Sequence, residues 1–123
     1  MRIINIFIKS EAMTMINELV QRLSDGKHEV MLGYRNEPYD EIKQRIADGY
    51  THIKFTQTKG GTELGINVDL DNTNIENVDF IKGHGVLHIE GTTNLNYNFV
   101  RCIADIDIAS RKGVGFLQII SEE

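Results

Sequence analysis

At 123 residues, with 41% hydrophobic side chains, no Trp and one Pro, the chain can bury a core without staples and is too apolar to stay disordered. Its single cysteine excludes an intrachain disulfide framework, and its formal charge of −5 argues against a surface for nucleic acid or anionic membrane. The charge is uneven: nine Lys/Arg meet eight Asp/Glu in residues 1–62, whereas four meet ten in residues 63–123, so the acidity belongs to the second half.

Residues 2–9 predict a strand that is apolar on both faces, with Ile4, Ile6 and Ile8 on one and Ile3 and Phe7 on the other. Asn5 interrupts this stretch and Lys9 closes it, far short of the roughly 20 apolar residues of a membrane span and without a cleavage site for export. The expected setting is cytoplasmic. Ser10 can cap a helix over 11–24, in which Ala12, Met13, Ile16, Leu19, Val20 and Leu23 recur at helical spacing before Asp25-Gly26 ends it. Residues 28–34 predict a second strand. A second helix follows over 38–48, with Asn36 or Glu37 as cap, Pro38 in the first position, a stripe of Tyr39, Ile42, Ile46 and Ala47, and Gly49 as terminator.

After Gly49 the apolar period changes from helical to two. Thr51, Ile53 and Phe55 alternate with polar residues, as do Leu64, Ile66, Val68 and Leu70, and Gly60-Gly61 predicts a two-residue hairpin turn between the two runs. Residues 71–78 read as a connection. Further strands are expected near 84–91, 93–99, 100–108 and 113–120, with Asn94, Asn96 and Asn98 facing out while Leu95, Tyr97 and Phe99 face in. The fold class that follows is α+β: two N-terminal helices on a mainly antiparallel, strongly curved sheet, in the order β-α-β-α and then about five to six strands, as one domain over 1–123.

The residue patterns carry few chemical signatures. Cys102 lies in the alternation Val100, Cys102, Ala104, Ile106, Ile108 and reads as a small buried hydrophobe rather than a nucleophile. Thr58-Lys59-Gly60-Gly61-Thr62 could present backbone N–H groups and a lysine to an anion, yet it joins two strands and lacks the phosphate-loop pattern, so it reads first as a hairpin tip. His84 and His88 are four apart, a metal spacing on a helix but not on the strand expected here. His88 and Glu90 could form an acid–base pair. Arg101 stands alone among uncharged residues from Thr92 to Ala104. It can pair across strands with Glu90, Asp105 or Asp107, or anchor an anion.

Asp69 and Asp71, and likewise Asp105 and Asp107, are two apart and share a strand face, so adjacent strands would gather four carboxylates. Calcium or magnesium could use such oxygens, but Asn74 and Phe80 stand where a calcium loop needs Gly and Glu. A solvated, partner-facing surface is the plainer reading.

These patterns imply no catalytic residue, no metal and no cofactor. The function expected is that of an acidic, non-enzymatic binding protein (inhibitor, immunity-type or adaptor) that recognises a basic protein partner. Its candidate contact residues are Lys59, Gly60, Gly61, Asp69, Asp71, Arg101, Asp105 and Asp107. The alternative is a small-molecule-binding domain or small enzyme with a pocket between helices and sheet, using Arg101, His88, Glu90 and Lys59. An exposed edge strand would also allow a homo-oligomer.

Overall fold

The computed structural model of the chain describes residues 18–33 and 36–120. The strand expected at 2–9 and the first part of the helix expected from residue 11 lie outside the described residues. Helix α1 covers Glu18–Ser24 and buries Val20 and Leu23. Strand β1, His28–Leu32, leads to helix α2, Tyr39–Ala47, whose Ile42 and Ile46 are buried while Ala47 is exposed. The expected cap does not form. Pro38 occupies the cap position without a side-chain hydrogen bond, and Glu37 instead pairs with Arg45 across the first turns. Asp48 and Gly49 end α2 by donating their N–H groups to Gln44 and Ile46.

The remaining strands are β2 (Tyr50–Phe55), β3 (Thr62–Val68), β4 (Val78–Asp79), β5 (His84–Leu95), β6 (Asn98–Asp107) and β7 (Lys112–Ile119). Every pairing is antiparallel, in the order β3-β2-β1-β7-β6-β5-β4. Two further pairs, Asn67 with Thr92 and Val68 with Gly91, join β3 to β5. All strands except β4 thereby close into a six-stranded barrel. The α+β architecture on a curved antiparallel sheet is as expected, and closure is the limit of that curvature.

Side-chain alternation places Ile53, Phe55, Leu64, Ile66, Leu87, Ile89, Val100, Cys102, Ala104, Ile106 and Leu117 in the core, where Val20, Leu23, Ile42 and Ile46 of the helices join them. Gly91 sits at the seam. A Cβ there would come within 2.3 Å of the Ile66 side chain and 2.4 Å of the Asn67 carbonyl oxygen, so only glycine lets β5 approach β3 closely enough to pair.

Three expectations need correction. The runs 84–91 and 93–99 are one long strand, β5, and the chain reverses at Asn96-Tyr97, not near residue 99. Both turn residues have positive φ, 51° and 69°, the geometry of the two-residue turn that matches strand twist, and Tyr97 points into solvent rather than inward. The Gly60-Gly61 turn is the end of a longer loop, 56–61, since the last pair of that hairpin is Phe55 with Thr62. Leu70 is 54% exposed instead of core-facing. The strand stops at Val68 because Asp69 starts a turn: its Oδ1 accepts the N–H of Asp71, and its carbonyl accepts the N–H groups of Asn72 and Thr73.

Candidate functional site

The polar residues singled out from the sequence converge in part, on the outer face of β5 and β6. The inner face of these strands carries Leu87, Ile89, Cys102 and Ala104, so alternation sends His88, Glu90, Arg101 and Asp105 outward. Register then sets the partners. His88 lies opposite Asp105, and its Nδ1 is 2.8 Å from Asp105 Oδ1. Its Nε2 is 2.7 Å from Glu90 Oε2, two residues along the same strand. Glu90 Oε1 accepts from Arg101 Nε at 3.0 Å and Nη2 at 2.9 Å. Arg101 Nη2 also donates to Asp69 Oδ2, where the chain leaves β3. Five side chains thus form one line, Asp69–Arg101–Glu90–His88–Asp105, crossing from the barrel seam to β6.

Burial is partial: Arg101 and Glu90 are 23% and 20% exposed. The shifts follow the contacts. Hydrogen bonds from Arg101 and Asn72 hold the Asp69 carboxyl down to about 2. The His88 contact, and then Arg101, lower Glu90 against the opposing effect of burial. Bonds to Glu90 and Asp105 raise His88, again against burial.

The segment after β3 is tied to this line. It runs antiparallel beside β5, with Asp69 N–H donating to the Glu90 carbonyl, reciprocal bonds between the backbones of Asn74 and His88, and Thr73 Oγ1 donating to the Glu90 carbonyl. Between the segment and the barrel lies an open polar depression of about 490 Å³, lined by residues 71–76 and His88.

The four aspartates therefore do not form one free acidic cluster. Asp69 is paired and only 26% exposed, contrary to the expectation that it faces water freely. Asp105 is engaged with His88. Asp107 holds the β6–β7 turn by accepting the N–H of Ser110, which lowers its pKa, and Asp71 stands exposed. Arg101 pairs with Glu90, one of the partners expected from sequence, and with Asp69, which local spacing could not indicate. It is committed to two carboxylates rather than poised for an anion.

Lys59, Gly60 and Gly61 lie at the far end of β3 from Asp69 and do not join the line. Among the described residues, Lys59 stands apart from Arg101, His88 and Glu90, with which a shared pocket was expected. Glu90 bonds to both His88 and Arg101 on the face opposite the core. Cys102 is fully buried, and desolvation pushes its thiol up to about 12, which removes the thiolate that nucleophilic chemistry needs.

One feature was missed by sequence reasoning. Tyr97, read as an inward strand residue, is 93% exposed at the tip of the β5–β6 hairpin, and Phe99 beside it is 36% exposed. Because β5 runs antiparallel to β3, this tip points toward the end of the barrel where the Lys59-Gly60-Gly61 loop lies. The signal available was Asn96, a residue that tolerates positive φ, midway between two apolar alternations. An exposed aromatic side chain on a strained turn suits contact with another protein.

Residues 12–123 match the family model described as "Core binding factor beta subunit". No curated protein matches the chain significantly.

Proposed function

The chain belongs to the core binding factor beta subunit family, and from that premise we propose that it is the non-catalytic subunit of a heteromer whose other member is a basic, DNA-binding protein of the Runt-domain kind. The single observation that carries this reading is the family match over residues 12–123. The physics of the chain agrees with it. A formal charge of −5 opposes direct phosphate contact, so any effect on DNA passes through the partner. A DNA-binding partner is itself basic, and the acidic second half, Asp71 and Asp107 included, steers the encounter.

Tyr97 and Phe99 on one hairpin tip, with the Lys59-Gly60-Gly61 loop at the same end of the barrel, form the contact surface within this proposal. The tyrosine supplies a rigid amphipathic anchor. Among the described residues, homo-oligomerisation through an edge strand would use β4, two residues long, because the other described strands close on themselves. The cytoplasmic setting belongs to the same proposal, since a DNA-binding partner works inside the cell.

Gel retardation with a purified Runt-domain protein tests the reading. The chain alone leaves DNA mobility unchanged, and added to the partner it produces a slower complex and tightens DNA binding. Retardation of DNA by the chain alone, or failure to form any complex with the partner at low salt, refutes it.

A further inference from the structure

We propose that His88 is a proton-operated latch: held as an imidazolium between Glu90 and Asp105, it clamps the 69–77 segment to the outer face of the barrel, and its deprotonation releases that segment.

A neutral imidazole has one N–H donor and one lone pair, and an ionised carboxylate has only acceptors. Both ring nitrogens of His88 face carboxylate oxygens, at 2.8 Å and 2.7 Å. Only the doubly protonated ring satisfies both contacts; a neutral ring sets a lone pair against one carboxylate. The charged groups that touch the ring are Glu90 on β5 and Asp105 on β6; Arg101 on β6 reaches it only through Glu90, and Asp71 and Glu76 line the same depression as His88. From β7, the apolar Val114 lies opposite Asp105. Two carboxylates thus bracket the ring, and Arg101 joins the line through its bonds to Glu90 and Asp69.

The same residue holds the segment mechanically. The His88 backbone exchanges both of its hydrogen bonds with Asn74, and Glu90 is bonded through its backbone to Asp69 and Thr73. Loss of the His88 proton leaves Asp105 on β6 without its counter-charge, and leaves Glu90, on the strand to which the segment is stitched, with Arg101 as its remaining ion pair.

The sign of the pH dependence follows. His88 is raised, so its contribution is complete below its unfolded value and is lost as pH rises through the folded one. Glu90 and Asp69 are lowered, so theirs are complete above the ordinary carboxylate range and are lost as pH falls through their folded values. The latch is closed between these limits and opens on the alkaline side by deprotonation of His88.

The experiment uses the full chain, with no partner, over roughly pH 5–10, a range that brackets an ordinary histidine. NMR follows the His88 ring, and amide exchange is expressed as protection factors so that the intrinsic pH dependence cancels. His88 titrates above the ordinary value of about 6.5, and protection at the Asn74 and His88 amides falls about tenfold or more with the same midpoint. Amides shared by β6 and β7 stay protected. Glu90→Gln moves both midpoints down together, and His88→Gln abolishes the alkaline step. Titration of His88 at or below the ordinary value overturns the proposal, as does an alkaline loss of Asn74 protection that persists unchanged in His88→Gln. Should His88→Gln fail to fold, the joint shift in Glu90→Gln decides alone: midpoints that move apart refute the latch. Complex formation plays no part in these readouts, so failure here leaves the proposed function standing.

Discussion

Replacing Gly91 by alanine should open the seam that makes this sheet a barrel. The added Cβ would lie 2.3 Å from Ile66 Cγ2, 2.4 Å from the Asn67 carbonyl oxygen and 3.0 Å from its carbon. Ile66 can rotate away, but the Asn67 contacts are backbone and belong to one of the two pairs that close the ring. Overpacking of this kind costs about 1–3 kcal/mol, and the unfolded-state entropy lost on Gly→Ala returns only about 0.4–1 kcal/mol. A net loss near 1–2 kcal/mol corresponds to roughly 4–10 °C in Tm for a chain of this size. Urea unfolding gives the free energy, and amide exchange at Asp69, which bonds to the Glu90 carbonyl beside the seam, reports local opening. Gly60→Ala is the control. It has open space around its Cβ but a φ of 75°, so its cost of about 1 kcal/mol is conformational and leaves Asp69 protection intact. The reasoning is refuted if Gly91→Ala unfolds within about 0.5 kcal/mol of wild type, or if Asp69 protection does not fall.

Further outcomes follow from the same geometry. Tyr97→Gly relieves a positive φ at an exposed turn and should raise stability by about 0.5–1 kcal/mol in urea unfolding while weakening capture of a Runt-domain partner; a stability loss would show that the ring packs on the barrel. The change Asp71→Asn should leave Tm nearly unchanged but slow association with a basic partner and flatten its salt dependence, as stopped-flow mixing at several ionic strengths would read. Cys102 should resist a thiol reagent in the native state and react at the rate of unfolding, since it is buried and its thiol is raised to about 12; rapid labelling would contradict the core assignment.

Much of the fold was legible because secondary structure is encoded locally. The spacing of Ile42 and Ile46 marks one buried helical face, and Gly49 ends the helix in sequence as in structure. The alternation from Val100 to Ile108 places Cys102, Ala104 and Ile106 in the core with no knowledge of neighbours. Alternation also misled at Asn96-Tyr97 and at Leu70. A run of period two looks the same whether the chain continues or reverses, and the reversal was signalled only by the tolerance of Asn96 for positive φ.

The candidate site was legible in composition but not in connection. His88 beside Glu90, and Arg101 opposite an acid, follow from spacing and local pairing. The links of Arg101 to Asp69 and of His88 to Asp105 span 32 and 17 residues. They exist because β5 pairs with β6 on one side and with β3 on the other. By itself the sequence determined the helical stretches seen at 18–24 and 39–47, most of the core-facing residues, the burial of Cys102 and the acidic second half, since each depends on neighbours along the chain. Tertiary structure alone decided that the sheet closes, that Gly91 is the point of closure and that Asp69, Asp105 and Asp107, three of the four carboxylates expected to be free, become members of a paired line and a turn. Strand neighbours are chosen by long-range packing and by close backbone approach, and no periodicity within a single strand carries that information.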